Sequence, residues 1–137
     1  MIIEGHVVYN KNGEINDMTM RIDTSLKGAE ISEDIADAVS FALFGKTVFR
    51  DIVREDTGVP LISLIINCNG NEIIVQREPT YIRETHFGSR YTSDELFSLH
   101  INDTDYDTLP KEKYYELLNG IIDMSYDEFV AIAKANQ

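Results

Sequence analysis

The sequence predicts an α+β domain, and three observations carry that prediction. The β-rich runs LISLIIN and EIIVQRE flank Asn67-Cys68-Asn69-Gly70-Asn71, and strands around Asn-Gly are a strong hairpin signal. Ahead of them, Ile31, Ile35, Val39 and Ala42/Leu43 recur at helical spacing. Two further helical patterns, residues 111–122 and 126–135, close the chain. Strands and helices are thus segregated: strands, one helix, an antiparallel meander, then two helices, an α+β order.

Each element has its own warrant. Residues 2–9 read as a strand, and Asn10-Lys11-Asn12-Gly13 as the turn after it. Residues 18–22 alternate and read as a second strand. The helix is expected over residues 31–44, because Glu30, Glu33 and Asp34 suit the positive end of its dipole and Gly45 supplies a stop. Residues 46–60 form a charged loop that closes with Gly58 and Pro60. After the hairpin, strands are expected near residues 81–84 and 96–101, then an acidic turn in NDTDYDTLP. Ser125 marks the start of the last helix. With 137 residues and no repeat, low-complexity stretch or linker, a single domain over residues 1–137 is expected.

Composition excludes some function classes. Of the chain, 43% is apolar and 26% charged, an ordinary globular balance. The 24 acidic residues outnumber the 12 basic ones, for a net charge of −12. Such a surface repels phosphate backbones, so direct nucleic-acid binding is disfavoured. The acidity reads either as solubility or as imitation of DNA toward a DNA-binding protein. The single cysteine, Cys68, excludes an internal disulfide framework. No apolar run is long enough to cross a membrane and no basic-then-apolar leader is evident, so the cytoplasm is the expected compartment.

The motifs divide into decoys and candidates. Gly45-Lys46-Thr47 carries the letters that end a nucleotide hydrolase's phosphate loop. The glycine that the pattern needs five residues earlier is Ser40, and the GKT follows a helix instead of preceding one. It is therefore read as a helix stop. Asp103, Asp105 and Asp107 resemble the start of a calcium loop, but Thr108 and Tyr114 stand at the sixth and twelfth positions, so an acidic turn is the better reading. His6, His86 and His100 show no metal-ligand spacing, and no metal site is expected. Cys68 has no partner cysteine and no His nearby in sequence. Among the tyrosines, which are mostly expected to pack, Tyr81, Tyr91, Tyr106 and Tyr114 are candidate interface anchors.

Two blocks carry a family resemblance. The first is Asp37-Ala38-Val39-Ser40-Phe41-Ala42-Leu43-Phe44-Gly45-Lys46. It is followed by Phe49-Arg50-Asp51, Arg54 and a strand with Arg77 near its end. The second is Met124-Ser125-Tyr126-Asp127-Glu128-Phe129, with Gln137 beyond it where a Q-loop glutamine would stand. In this order they resemble the N-terminal lobe of SbcC-type DNA-repair ATPases. These are SMC-like members of the ABC class, whose relatives include the large subunit of tailed-phage recombination nucleases. The resemblance covers roughly residues 18–137.

The same resemblance places a phosphate loop over residues 26–34, LKGAEISED, where the chain departs from the family. The phosphate-holding lysine falls on Ser32 and the magnesium-ligating serine on Glu33. The expected glycines fall on Leu26, Ala29 and Ile31, and Gly28 is out of register. Carboxylates at Glu30, Glu33 and Asp34 repel a triphosphate where a helix N-terminus would otherwise attract one. No cofactor and no catalysis are expected. The expected function is a pseudo-ATPase lobe that binds an SbcC-type ATPase, its nuclease subunit or a second copy of itself, as a phage or mobile-element inhibitor of a host nuclease or defence complex. The alternatives are an acidic DNA mimic and one half of a split ATPase. The hairpin strands are apolar at nearly every position, which predicts cover on both faces and hence a partner surface.

Overall fold

Backbone pairing, more than local propensity, sets the strand lengths in the computed structural model, which describes residues 1–11, 14–25, 31–49, 59–78, 82–84, 90–92 and 96–135. Strand β1, Ile2–Lys11, pairs antiparallel with β2, Glu14–Asp23, at ten consecutive positions. The second strand therefore starts earlier than its alternating residues suggest, since Glu14 to Asp17 are recruited by β1 and not by a buried face. The hairpin forms around Asn69-Gly70 as read, joining β3, Val59–Cys68, to β4, Asn71–Glu78. Asn69 and Gly70 both have positive φ, 51° and 82°, the backbone that such a two-residue turn requires.

Strands β5, Ile82–Glu84, and β6, Arg90–Thr92, pair with each other in a small separate sheet. Strand β7, Leu96–Ile101, pairs with β4, and the two-residue β8, Thr104–Asp105, pairs with β7. The main sheet has six strands in the order β2-β1-β3-β4-β7-β8, every pair antiparallel. Helix α1, Glu33–Phe44, links β2 to β3, which run parallel to each other on either side of β1. Helices α2, Lys111–Ile121, and α3, Tyr126–Lys134, follow and pack against α1. The fold is α+β, with a meander and helices in the expected order.

One face of the sheet carries the core. Cross-strand rows of Ile22, Ile3, Ile66, Ile73 and Ile101, and of Leu64, Val75 and Leu99, are buried. The predicted helix face, Ile31, Ile35, Val39 and Leu43, is buried with them, joined by Ala36, Ala38 and Ala42. Phe41 and Phe44 are half-buried against this core. The opposite face is different. Leu61 is 47% exposed and Ile65 42% exposed, beside Glu4 and His6 at the surface. Cover of the hairpin on both faces is therefore not provided by the described residues.

Gly5 has a specific task in β1. A Cβ there would lie 1.9 Å from the Ser63 carbonyl oxygen, and its φ of +155° is one that side chains disfavour. Only glycine lets β1 and β3 approach this closely.

Candidate functional site

The site that the sequence singles out lies at the two ends of α1. At its start, Ser32 is the N-cap, and its hydroxyl accepts a hydrogen bond from the Ile35 N–H at 3.3 Å. Glu33 and Asp34 follow in the first turn. One of the N–H groups at this helix start is thus taken by the Ser32 hydroxyl, and two carboxylates stand at the positive end of the dipole. Ile31, at a position where a phosphate cradle would have glycine, is 8% exposed and packs into the core. Gly28, with Leu26 to Glu30, lies outside the described residues.

At the other end, the GKT is a helix terminator. Gly45 takes the left-handed conformation, φ 78° and ψ 9°, and its N–H donates to the Phe41 carbonyl at 2.9 Å. The following residues turn back along the helix because two buried helix side chains hold them. Asp37 accepts from the Val48 and Phe49 N–H groups at 2.8 and 2.6 Å, and the Ser40 hydroxyl donates to the Lys46 carbonyl at 2.7 Å. Asp37 is 4% exposed and Ser40 fully buried, so these polar side chains are internal braces.

α1 has no basic residue in its last turn. Arg77 supplies the charge from β4. Its Nη1 donates to the Phe41 carbonyl at 3.0 Å and also to the Tyr115 hydroxyl. The guanidinium carbon lies 4.6 Å from the Phe41 ring centre and 5.4 and 5.3 Å from those of Tyr114 and Tyr115. A cation at a helix C-terminus is favoured by the dipole, and stacking on rings suits a planar guanidinium. Tyr114 adds a hydrogen bond from its hydroxyl to the Ala42 carbonyl at 2.9 Å.

The two motif blocks meet here although the sequence sets them far apart. The Tyr126 hydroxyl donates to the Thr47 carbonyl at 2.6 Å, and Lys46 Nζ sits 4.1 Å from the Tyr126 ring centre. The Phe44 ring centre lies 5.8 Å from that of Tyr126 and 6.1 Å from that of the fully buried Phe129. Ser125 caps α3 by accepting from the Glu128 N–H at 3.2 Å, while its hydroxyl donates to the Glu128 carboxylate. The arrangement clamps the C-terminal end of one helix to the start of another.

The remaining candidates are dispersed. Tyr114 is 1% exposed, so this expected interface anchor is a core residue; its ring is needed beside Arg77 and its hydroxyl at α1. Tyr106 is half-buried against the core. Tyr91 lies on β6 opposite Arg83, with only its backbone described. Tyr81 and Gln137 lie outside the described residues, as do His86, Arg50 and Arg54.

One grouping escaped the sequence reading. His100 pairs across strands with Asp105, and ligand-capable atoms of His100, Asp105 and Asp107 lie within 4.8 Å of one another. Sequence spacing could not show this, because the β7–β8 register creates it. The carboxylates brace the turn: Asp107 accepts from the Leu99 N–H at 2.8 Å and the Ser98 hydroxyl at 2.9 Å, and Asp105 accepts from the Asp107 N–H at 2.8 Å. The Leu99 N–H, helped by Ser98, Asp105 and the charge of His100 and opposed by burial, holds the Asp107 carboxyl below its ordinary pKa. Comparison with family models, curated proteins and solved structures gives no match to this chain.

Proposed function

We propose that this chain is a non-catalytic binding protein, a pseudo-ATPase lobe whose phosphate site has been given over to a helix cap. The observation that carries this reading is the start of α1. Ser32 spends its hydroxyl on the Ile35 N–H, and Glu33 and Asp34 fill the first turn with carboxylates. A triphosphate meets negative charge there, and its backbone donors are partly used. The resemblance to SbcC-type ATPases supplies the partner class. The lobe binds such an ATPase or its nuclease subunit and blocks assembly, as an inhibitor encoded by a phage or mobile element would. The exposed Leu61 and Ile65 on the helix-free face of the sheet are suited to such a contact.

The reading is tested by titrating the chain into a purified SbcC-type ATPase–nuclease complex at low and high salt, by calorimetry or interferometry. The expected result is binding that weakens only mildly with salt, together with loss of nuclease activity. Absence of binding contradicts the proposal. Binding that collapses with salt also contradicts it, and favours imitation of DNA by a surface of net charge −12.

A further inference from the structure

We propose that two copies of this chain join through the outer edge of β2, antiparallel and centred on Thr19, so that the sheet continues across a two-fold axis. This interface is independent of the target proposed above. β2 is an end strand of the six-stranded sheet, and among the described residues it pairs with β1 alone. The pairing with β1 runs through ten positions without a bulge, and EINDMTMRID contains no proline and no lysine, though it carries Glu14, Asp17, Arg21 and Asp23. Edges are ordinarily protected by such features, because their outward N–H and C=O groups template another strand. The residues Glu14 to Asp17 are exposed, with Ile15 at 71%. The other end strand, β8, has only two residues and cannot offer a comparable edge.

The residue pattern selects the register. Keeping the helices of both copies on the same side of the sheet requires core-facing residues to pair with core-facing residues. Asp17, Thr19 and Arg21 lie on the helix-free face, opposite Val8, His6 and Glu4, whereas Met18 and Met20 lie on the helix side. Centring on Thr19 sets Asp17 of each copy against Arg21 of the other and Met18 against Met20, with Thr19 facing Thr19. Moving the centre to Asp17 sets two carboxylates against each other. Moving it to Met20 sets Asp17 against Asp23, and moving it to Met18 sets Asp17 against Thr19 and Arg21 against Ile15, pairing no opposite charges; the Thr19 centre sets Asn16 against Ile22 and Ile15 against Asp23 but opposes no like charges. Only the Thr19 centre sets opposite charges against each other while keeping methionine against methionine.

The charges already in place extend this match. Arg21 Nε lies 3.2 Å from Glu4 Oε1, and Asp17 Oδ1 lies 3.3 Å from His6 Nδ1. In the dimer each row therefore reads Glu4, Arg21, then Asp17 and His6 of the second copy, and the two-fold axis repeats it. On the helix side, the half-buried Met18 and Met20 of the two copies extend the apolar core layer across the junction.

The test uses the full chain. Sedimentation or light scattering at micromolar concentration is expected to show a dimer. Asp17→Lys alone sets a lysine against Arg21, and Arg21→Glu alone sets a glutamate against Asp17, so each variant is expected to weaken the dimer about 10-fold or more. Mixed in equal amounts, the two variants place the introduced lysine opposite the introduced glutamate, and the remaining Asp17 opposite the remaining Arg21, so the dimer returns. Circular dichroism melts establish that each variant folds. As an independent arm, Thr19→Cys is expected to form a disulfide-linked dimer on mild oxidation, because opposed residues in an antiparallel ladder have Cα atoms about 4.5–5.5 Å apart, within disulfide range. A wild-type monomer, a mixture that stays monomeric although both variants fold, or a Thr19→Cys chain that does not cross-link would each overturn the proposal.

Discussion

Arg77 is buried, charged and aimed at the end of a helix that carries no cation in its last turn. Its value lies in shape as well as charge: one flat group reaches the Phe41 carbonyl and the Tyr115 hydroxyl while lying among three aromatic rings. Lysine keeps the charge but has neither the plane nor the fork. Arg77→Lys is therefore expected to cost about 2–3 kcal/mol in denaturant unfolding, and a variant with the wild-type midpoint would contradict this account. Asp107 gives a prediction in pH. Its folded pKa is depressed, chiefly by the Leu99 N–H, so its stabilisation is present above the unfolded Asp pKa and is lost as pH falls through the folded value. Asp107→Asn should be less stable than wild type near neutral pH, with the gap closing in acid below the ordinary Asp range. A gap that stays constant down to the lowest pH at which both fold would show that the charge plays no part.

Elements here are set partly by pattern and partly by pairing. The crossing of β1 and β3 depends on Gly5, where a Cβ would lie 1.9 Å from the Ser63 carbonyl. Gly5→Ala is expected to cost about 2–4 kcal/mol, because backbone atoms rather than a flexible side chain must give way; unchanged unfolding in urea would mean that the strands can separate freely. Nothing in GHV marks Gly5 as a contact, since the atom it avoids lies on a strand far along the chain. The β3–β4 hairpin and the buried face of α1 were legible because their signals are local: Asn-Gly for the turn, Ile35, Val39 and Leu43 for the helix. The first half of β2 was not, because Glu14 to Asp17 show no alternation and are held by β1. β6 and β8 also escaped, being three and two residues long. At the candidate site, Glu33 and Asp34 could be read as the acidic first turn of α1. Asp37 and Ser40 could not be read as braces for residues 46–49, because that contact exists only once the chain turns at Gly45. Tyr114 was misread as a surface anchor because composition alone does not say which side of α2 faces α1.

Across the described residues, polar side chains at both ends of α1 are used to hold the fold. Ser32 caps a helix, Lys46 lies over Tyr126, and the Gly45 turn ends α1 where a phosphate loop would begin one. The sheet keeps one covered face and one face with exposed Leu61 and Ile65, beneath a net charge of −12. The proposed binding role rests on this surface, and the proposed lack of ATPase chemistry rests on the capped, acidic start of α1. The most direct measurement is thermal unfolding of the full chain with and without millimolar Mg-ATP. A nucleotide bound far above its dissociation constant raises the unfolding free energy by about 2–4 kcal/mol. The account predicts superimposable melting curves; a clear upward shift with Mg-ATP would contradict it.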